Sequence, residues 1–167
     1  MILGLLVVCL SVACRQEPPP EGDLSLQSPE GVSGQVDAAA VVEHFKAQQL
    51  PIGRTDVYNA ENDPFKRLGR PGQYVGKALF HDSRMPLEKL PNMDVIAFQS
   101  SGGIVEIFNN PGDLEDRKSA LEQARRQFPQ AAPEYQFTNG VILVRLGHVF
   151  TPDQAGQYEQ ALLSFQG

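Results

Sequence analysis

The feature that most constrains the fold is a pair of apolar segments joined by Asn139-Gly140. The segments span 135–138 and 141–146, and both are rich in aromatic or β-branched residues. Asn-Gly supplies the positive φ values that both central residues of a type I′ turn need, and such turns join antiparallel strands. The sequence therefore predicts a tight hairpin, and with it a sheet that is at least partly antiparallel.

Helical periodicity predicts three helices. The first follows Asp37 as N-cap and ends near Leu50-Pro51, and the second follows Asp113 as N-cap. The third follows a capping box of Thr151 and Gln154. The expected buried face of the second helix consists of Leu114, Leu121, Ala124 and Phe128.

Strands are predicted at 52–59, 74–81, 94–98 and 103–108, and the last two are expected to pair as a hairpin. The segment 70–73 carries Pro and then Gly at its centre, which predicts a type II turn. The order is helix, strands, helix, hairpin, helix. It favours an α+β fold: a two-layer sandwich of one mostly antiparallel sheet with helices on one face.

The N-terminus carries an apolar run over residues 2–12. The run is too short to span a bilayer but fits a secretory signal. The small residues 11–13 before Cys14 resemble the lipobox of bacterial lipoproteins, although Ser11 stands where that family has a large aliphatic residue. The resemblance implies cleavage before Cys14 and a diacylglycerol on its thiol. The alternative is a buried N-terminal element that ends in a cysteine by chance.

The next segment, residues 15–35, is acidic and rich in Pro and Gly. It has too few large apolar residues to offset the entropy of ordering, which predicts a flexible stalk. The expected organisation is a signal peptide over 1–13, a lipid-anchored stalk over 14–35 and a globular domain over 36–167. The expected location is the extracytoplasmic face of the cell membrane.

Composition excludes several functions. The formal net charge is -6, which disfavours nucleic acid as a partner. Both cysteines, Cys9 and Cys14, precede the domain, so the domain holds no disulfide, thiol nucleophile or zinc-thiolate site. The three histidines lack metal-ligand spacing, and no nucleophile elbow or phosphate loop occurs. We therefore expect neither a metal nor a cofactor, and no catalytic residue is assigned.

The densest run of functional residue types spans residues 67–84 and includes the 70–73 turn. Cations beside exposed turn amides can hold a carboxylate or phosphate. The competing interpretation is that these side chains form ordinary salt bridges with Glu61, Asp63 and Asp82. The candidate ligand-binding residues are Arg70, Lys77, Asp82 and Arg84.

Two carboxylates, Asp82 and Glu106, are candidates for a chemical role. Asp82 adjoins His81 and Ser83, but neighbours in a strand point to opposite sides and do not form a triad by adjacency. Glu106 lies in an otherwise apolar strand, so it faces solvent at a sheet edge or pairs with Arg145 on a neighbouring strand. We favour the structural pair.

The segments 68–74, 82–84 and 102–108 resemble small lipoproteins of Gram-positive and related bacteria, and the resemblance spans roughly residues 36–165. That family has no assigned activity. The resemblance therefore implies the envelope location and carries over no functional residue.

Three functions follow from these patterns. The first is a lipid-anchored binding module that holds a peptide, an anionic ligand or a partner protein at the cell envelope. The second is a small hydrolase that uses Asp82 or Glu106 as a base. The third is a structural accessory of a membrane complex.

Overall fold

The computed structural model describes residues 36–85, 101–128 and 133–167. In chain order the elements are α1 (Ala38–Ala47), β1 (Ile52–Tyr58), β2 (Gly76–Asp82), β3 (Gly102–Ile107), α2 (Pro111–Gln127), β4 (Tyr135–Asn139), β5 (Ile142–Leu146) and α3 (Pro152–Ser164). The signal, Cys14, the stalk and segment 94–98 lie outside the described residues. The predicted α+β fold with an antiparallel sheet is confirmed.

The five strands form one sheet in the order β1-β2-β3-β5-β4, and every neighbouring pair is antiparallel. β2 and β5 occupy the two sides of β3. The segment 94–98, which the sequence predicts as the hairpin partner of β3, lies outside the described residues. β3 pairs with β5 across the whole of α2, so this contact joins strands that are distant in the sequence.

The first face of the sheet packs against α1 and α3, whereas α2 packs against the other face, so the predicted placement of the helices on one face holds for α1 and α3 only. Phe80 on β2 stacks on Tyr158 of α3 with ring centroids 5.3 Å apart, and Phe45 of α1 meets both rings edge-on. Burying an aromatic side chain of this kind contributes about 1.5–3 kcal/mol. The strand residues of this core are Ala78, Phe80, Val105, Ile107, Ile142, Val144 and Leu146.

Local cap chemistry fixes where the helices begin. Asp37 caps α1, and Thr151 with Gln154 forms the predicted capping box on α3. The cap of α2 was predicted incorrectly. Asn110 is the N-cap, and its side-chain oxygen accepts from the backbone N–H of Asp113 at 3.0 Å. Pro111 has no N–H to satisfy and suits the first helical position, so α2 begins earlier than expected.

The β4–β5 hairpin is confirmed, but its turn differs from the predicted one. Asn139 pairs with Ile142, which leaves Gly140 and Val141 as the loop. Gly140 has φ +58°, and Asn139 does not lie at positive φ. Glycine at the first central position is typical of a type II′ turn. Asn139 instead donates from its amide to the carbonyls of Leu162 and Phe165 at the end of α3.

α2 packs against the opposite, second face of the sheet. Its Leu114 is buried with Tyr74, Phe108 and Leu143. The remainder of the predicted buried face is not buried: Leu121 is partly covered, Ala124 is exposed, and Phe128 is 57% exposed. The second half of α2 therefore presents its apolar side chains without a covering layer among the described residues.

Candidate functional site

Arg70 lies where the sequence places it, in an exposed turn. Gln73 donates its backbone N–H to the Arg70 carbonyl at 3.0 Å, and Gly72 has φ +71°, as a type II turn requires. The Arg70 side chain is exposed. None of the other three candidate ligand residues joins it in a cleft.

Lys77 is buried on the second face, where it forms an ion pair. Its Nζ lies 2.8 Å from Oδ1 of Asp63, and the two side chains are 1% and 0% exposed. The Asp63 carboxylate also accepts from the backbone N–H groups of Arg67 and Leu68 and from the Tyr74 hydroxyl. Burial alone would raise the pKa of Asp63, but these hydrogen bonds outweigh burial and hold that pKa well below its ordinary value.

Asp82 and Arg84 form a second closed pair at the end of β2. Arg84 Nη2 lies 2.7 Å from Oδ2 of Asp82, and its Nε also donates to that carboxylate. The Tyr158 hydroxyl donates to the same oxygen at 2.8 Å. Burial alone would raise the pKa of Asp82. The hydrogen bonds from Arg84 and Tyr158 outweigh the effect of burial, so the pKa of Asp82 lies below its ordinary value.

The structure does not bring the four candidate residues together. Lys77 and Asp82 differ by an odd number of positions along β2, so their side chains point to opposite faces. Both carry salt-bridge partners, as the competing interpretation of this segment expects. Asp82 and Glu106 also lie on opposite faces, which separates the two carboxylates considered for a hydrolase.

Glu106 pairs with Arg145, as the sequence predicts, at 3.5 Å between Oε1 and Nη1. Arg117 of α2 holds the same carboxylate through two bonds of 2.8 and 3.0 Å. Arg145 makes a two-bond contact with Glu134 at 2.7 and 2.9 Å. The result is a chain of two carboxylates and two guanidinium groups between α2 and the sheet.

Within this chain of charges, Glu106 and Arg145 are held in their ionised forms. Burial would raise the pKa of Glu106, but the hydrogen bond from Arg117 and the charges of Arg117 and Arg145 hold it below its ordinary value. Burial would lower the pKa of Arg145, but Glu134 and Glu106 raise it above its ordinary value. An ion pair held in this way neither gives nor takes a proton near neutral pH.

A groove of about 580 Å³ lies between α2 and the second face of the sheet. Its size falls within the range of small-molecule binding pockets. One wall is the second half of α2, and the floor is the second face of the sheet at β4 and β5. The groove is lined by Glu115, Lys118, Ser119, Leu121, Glu122, Ala124, Arg125, Phe128, Glu134, Gln136 and Arg145.

The groove has an apolar wall and a polar floor. Leu121, Ala124 and Phe128 supply the apolar wall, and Gln136 with the Glu134–Arg145 pair supplies the floor. The remaining charges, on Glu115, Lys118, Glu122 and Arg125, alternate in sign along α2. The groove therefore suits a ligand that offers both apolar side chains and hydrogen-bonding groups, rather than a strongly charged one.

The sequence analysis did not predict the groove, but it identified some of the residues in and near it. It identified the apolar stripe of α2 and the charged residues within apolar strands, Glu106 and Arg145. It did not anticipate that Arg117 and Glu134 complete the network, because their approach depends on how α2 crosses the sheet. The apolar stripe of α2 was expected to be buried in the core, so no binding groove was predicted there.

The described ranges contain no cluster of His, Cys, Asp and Glu side chains that could hold a metal ion. Within the same ranges no helix has the length and apolar character needed to cross a bilayer. The fold and the groove define an α+β domain with an open amphipathic cleft. No protein-family model, curated protein or solved structure matches this chain.

Proposed function

We propose that this protein is a lipid-anchored envelope protein whose domain binds a peptide segment in the groove between α2 and the sheet. The observation that carries the proposal is the apolar stripe of Leu121, Ala124 and Phe128 along the end of α2, which lines an open cleft. Phe128 is 57% exposed at the end of that wall. Exposed apolar surface beside polar groups is typical of binding sites.

A peptide fits the chemistry of the groove better than a free anion does. A peptide offers apolar side chains to Leu121 and Phe128, and amide groups to Gln136. An anion would need an unpaired cation at the floor, whereas Arg145 already holds Glu134 and Glu106. Separating Arg145 from these carboxylates would leave buried charge without a partner, at a cost of about 3–5 kcal/mol.

The lipid anchor rests on the lipobox resemblance at Cys14, and it explains why a binding domain would follow an acidic stalk. Cys14→Ala should release the protein from the membrane fraction or leave it unprocessed, and unchanged membrane retention with normal processing would contradict the anchor.

A site-specific crosslink tests the groove. A photoreactive phenylalanine analogue at Phe128 should capture a ligand, whereas the same analogue at Leu163, an equally exposed apolar residue on α3, should not. Ala124→Trp fills the groove and should abolish the crosslink. Ala120→Trp, on the same helix but outside the groove lining, should leave it intact. Equal crosslinking at positions 128 and 163, or crosslinking that survives Ala124→Trp, would contradict the proposal.

A further inference from the structure

The two edge strands of the sheet differ in how well they are protected from pairing. β1 has an irregular register between Ile52 and Thr55 and carries the ion pair of Arg54 and Asp56. Irregular pairing and charged side chains are the usual devices that keep an edge from adding another strand. β4, with the sequence Tyr-Gln-Phe-Thr-Asn, has a continuous register with β5 and no charged residue. No strand of the described residues pairs with the outer edge of β4.

The hairpin geometry determines which backbone groups of β4 point outward. Asn139 and Ile142 flank the two-residue loop, so they form a hydrogen-bonded pair, and such pairs alternate along an antiparallel ladder. The groups of Tyr135, Phe137 and Asn139 therefore point toward β5. The backbone N–H and C=O groups of Gln136 and Thr138 point away from the sheet.

This pattern is complementary to itself. We propose that β4 pairs antiparallel with β4 of a second copy of this chain, about a two-fold axis at Phe137. Gln136 then faces Thr138 of the second copy, and Thr138 faces its Gln136. Each of these two pairs exchanges two backbone hydrogen bonds, so all four outward groups of each strand are satisfied.

The side chains fit the same register. Phe137 lies opposite Phe137 of the second copy at a non-hydrogen-bonded position, where side chains approach most closely. Phe137 is only partly covered by its own core and stacks on Tyr135 at 6.4 Å. No like charges meet, because β4 has none and Glu134 falls opposite Gly140. The two-fold axis also closes the assembly, since each outer edge of the ten-stranded sheet is then the protected β1.

A disulfide tests the register directly. Across a non-hydrogen-bonded pair the Cα atoms lie roughly 4.5 Å apart, which a disulfide can bridge. Phe137→Cys in the purified full chain should give a reducible homodimer on mild oxidation. Val57→Cys, an exposed position on β1, should not, and the unsubstituted chain controls for Cys9 and Cys14. The proposal would be overturned by any of three results: equal dimer yields for the variants at positions 57 and 137, no dimer at position 137, or a disulfide to a protein of different mass.

Charge substitution tests the same interface with Phe137 intact. Gln136→Lys combined with Thr138→Lys sets two lysine pairs face to face and should abolish the dimer in sedimentation analysis of the purified full chain. The corresponding Glu double variant should also be monomeric, whereas an equal mixture of the two should form heterodimers. Lysine variants that remain dimeric, or a mixture that stays monomeric, would overturn the pairing. Neither test depends on the groove or the lipid anchor.

Discussion

At the scale of single residues, the environment of Lys77 is the least expected for its chemistry. Lysine is almost never fully buried unless it is paired. The Lys77 ammonium is buried against the segment between β1 and β2. Asp63 neutralises the charge at 2.8 Å, and the rings of Tyr58, Phe65 and Tyr74 lie 4.8–5.2 Å from Nζ. The aromatic faces favour the cation. Lys77 is therefore a structural residue that ties this segment to β2.

Removing this cation should destabilise the domain strongly. Lys77→Met leaves the Asp63 carboxylate buried without its partner, and the free energy of unfolding should fall by about 3–5 kcal/mol. Urea denaturation followed by circular dichroism measures the change. Arg70→Met is the matched control, because its side chain is exposed, and it should change stability by no more than about 0.5 kcal/mol. Similar losses for both variants would show that Lys77 is not buried as described.

At the scale of elements, α2 behaves as two halves. The first half is fixed to the sheet by buried Leu114 and by the bond of Arg117 to Glu106. The second half carries Leu121, Ala124 and Phe128 along the groove with little cover. The helix is therefore held to the sheet near its first turns, while the side chains near its end line an open cleft.

Truncations along α2 should show this difference. Leu114→Ala should lower the free energy of unfolding by about 2–5 kcal/mol, because it opens a cavity among Tyr74, Phe108 and Leu143. Phe128→Ala should change stability by only about 0.5 kcal/mol, because the ring is more than half exposed. Thermal unfolding of the two variants gives the comparison. If Phe128→Ala lowered the free energy of unfolding as much as Leu114→Ala, the apolar wall of the groove would have to be buried, which would contradict the open groove.

The elements that sequence predicted correctly are those specified by local chemistry. The capping box of Thr151 and Gln154 needs only residues three apart. The Glu106–Arg145 pair spans 39 positions and was predicted because both charged residues lie in otherwise apolar strands. Other features that depend on distant partners have no such signal in the sequence. The sequence predicts Asn139 as a central residue of the turn. In the structure its side-chain amide instead donates hydrogen bonds to the backbone carbonyls of Leu162 and Phe165, 23 and 26 residues away. The groove escaped prediction for the same reason, since it depends on how far α2 lies from the sheet.

At the scale of the whole molecule, buried ionised groups tie stability to pH. The pKa values of Asp63, Asp82 and Glu106 all lie below their ordinary values. Such groups stabilise the fold above the pKa of the unfolded chain, and their contribution is lost as pH falls through the folded-state value. Tyr74 and Tyr158 have raised pKa values because they are buried and donate to Asp63 and Asp82. Their contribution is present below the unfolded-state pKa and is lost as pH rises.

The free energy of unfolding should therefore be flat near neutrality and fall at both extremes. The acid decline should begin near the ordinary carboxyl pKa values of 3.8 and 4.5, and the alkaline decline near the ordinary tyrosine pKa of 10.0. Urea titrations across the pH range measure this profile. Asp82→Asn should make the acid decline shallower, whereas Glu115→Gln, an exposed substitution, should leave its shape unchanged. An acid limb that is identical in the Asp82 variant would contradict the assignment.

The proposed role joins two parts of the chain: a leader that ends at Cys14 and a domain whose open groove needs access to partners at a membrane surface. The most direct measurement is the mass of the N-terminal peptide of the protein isolated from its natural source. The account predicts a chain that begins at Cys14 with a diacylglycerol on its sulfur. A chain that retains residues 1–13 and carries an unmodified Cys14 would contradict it.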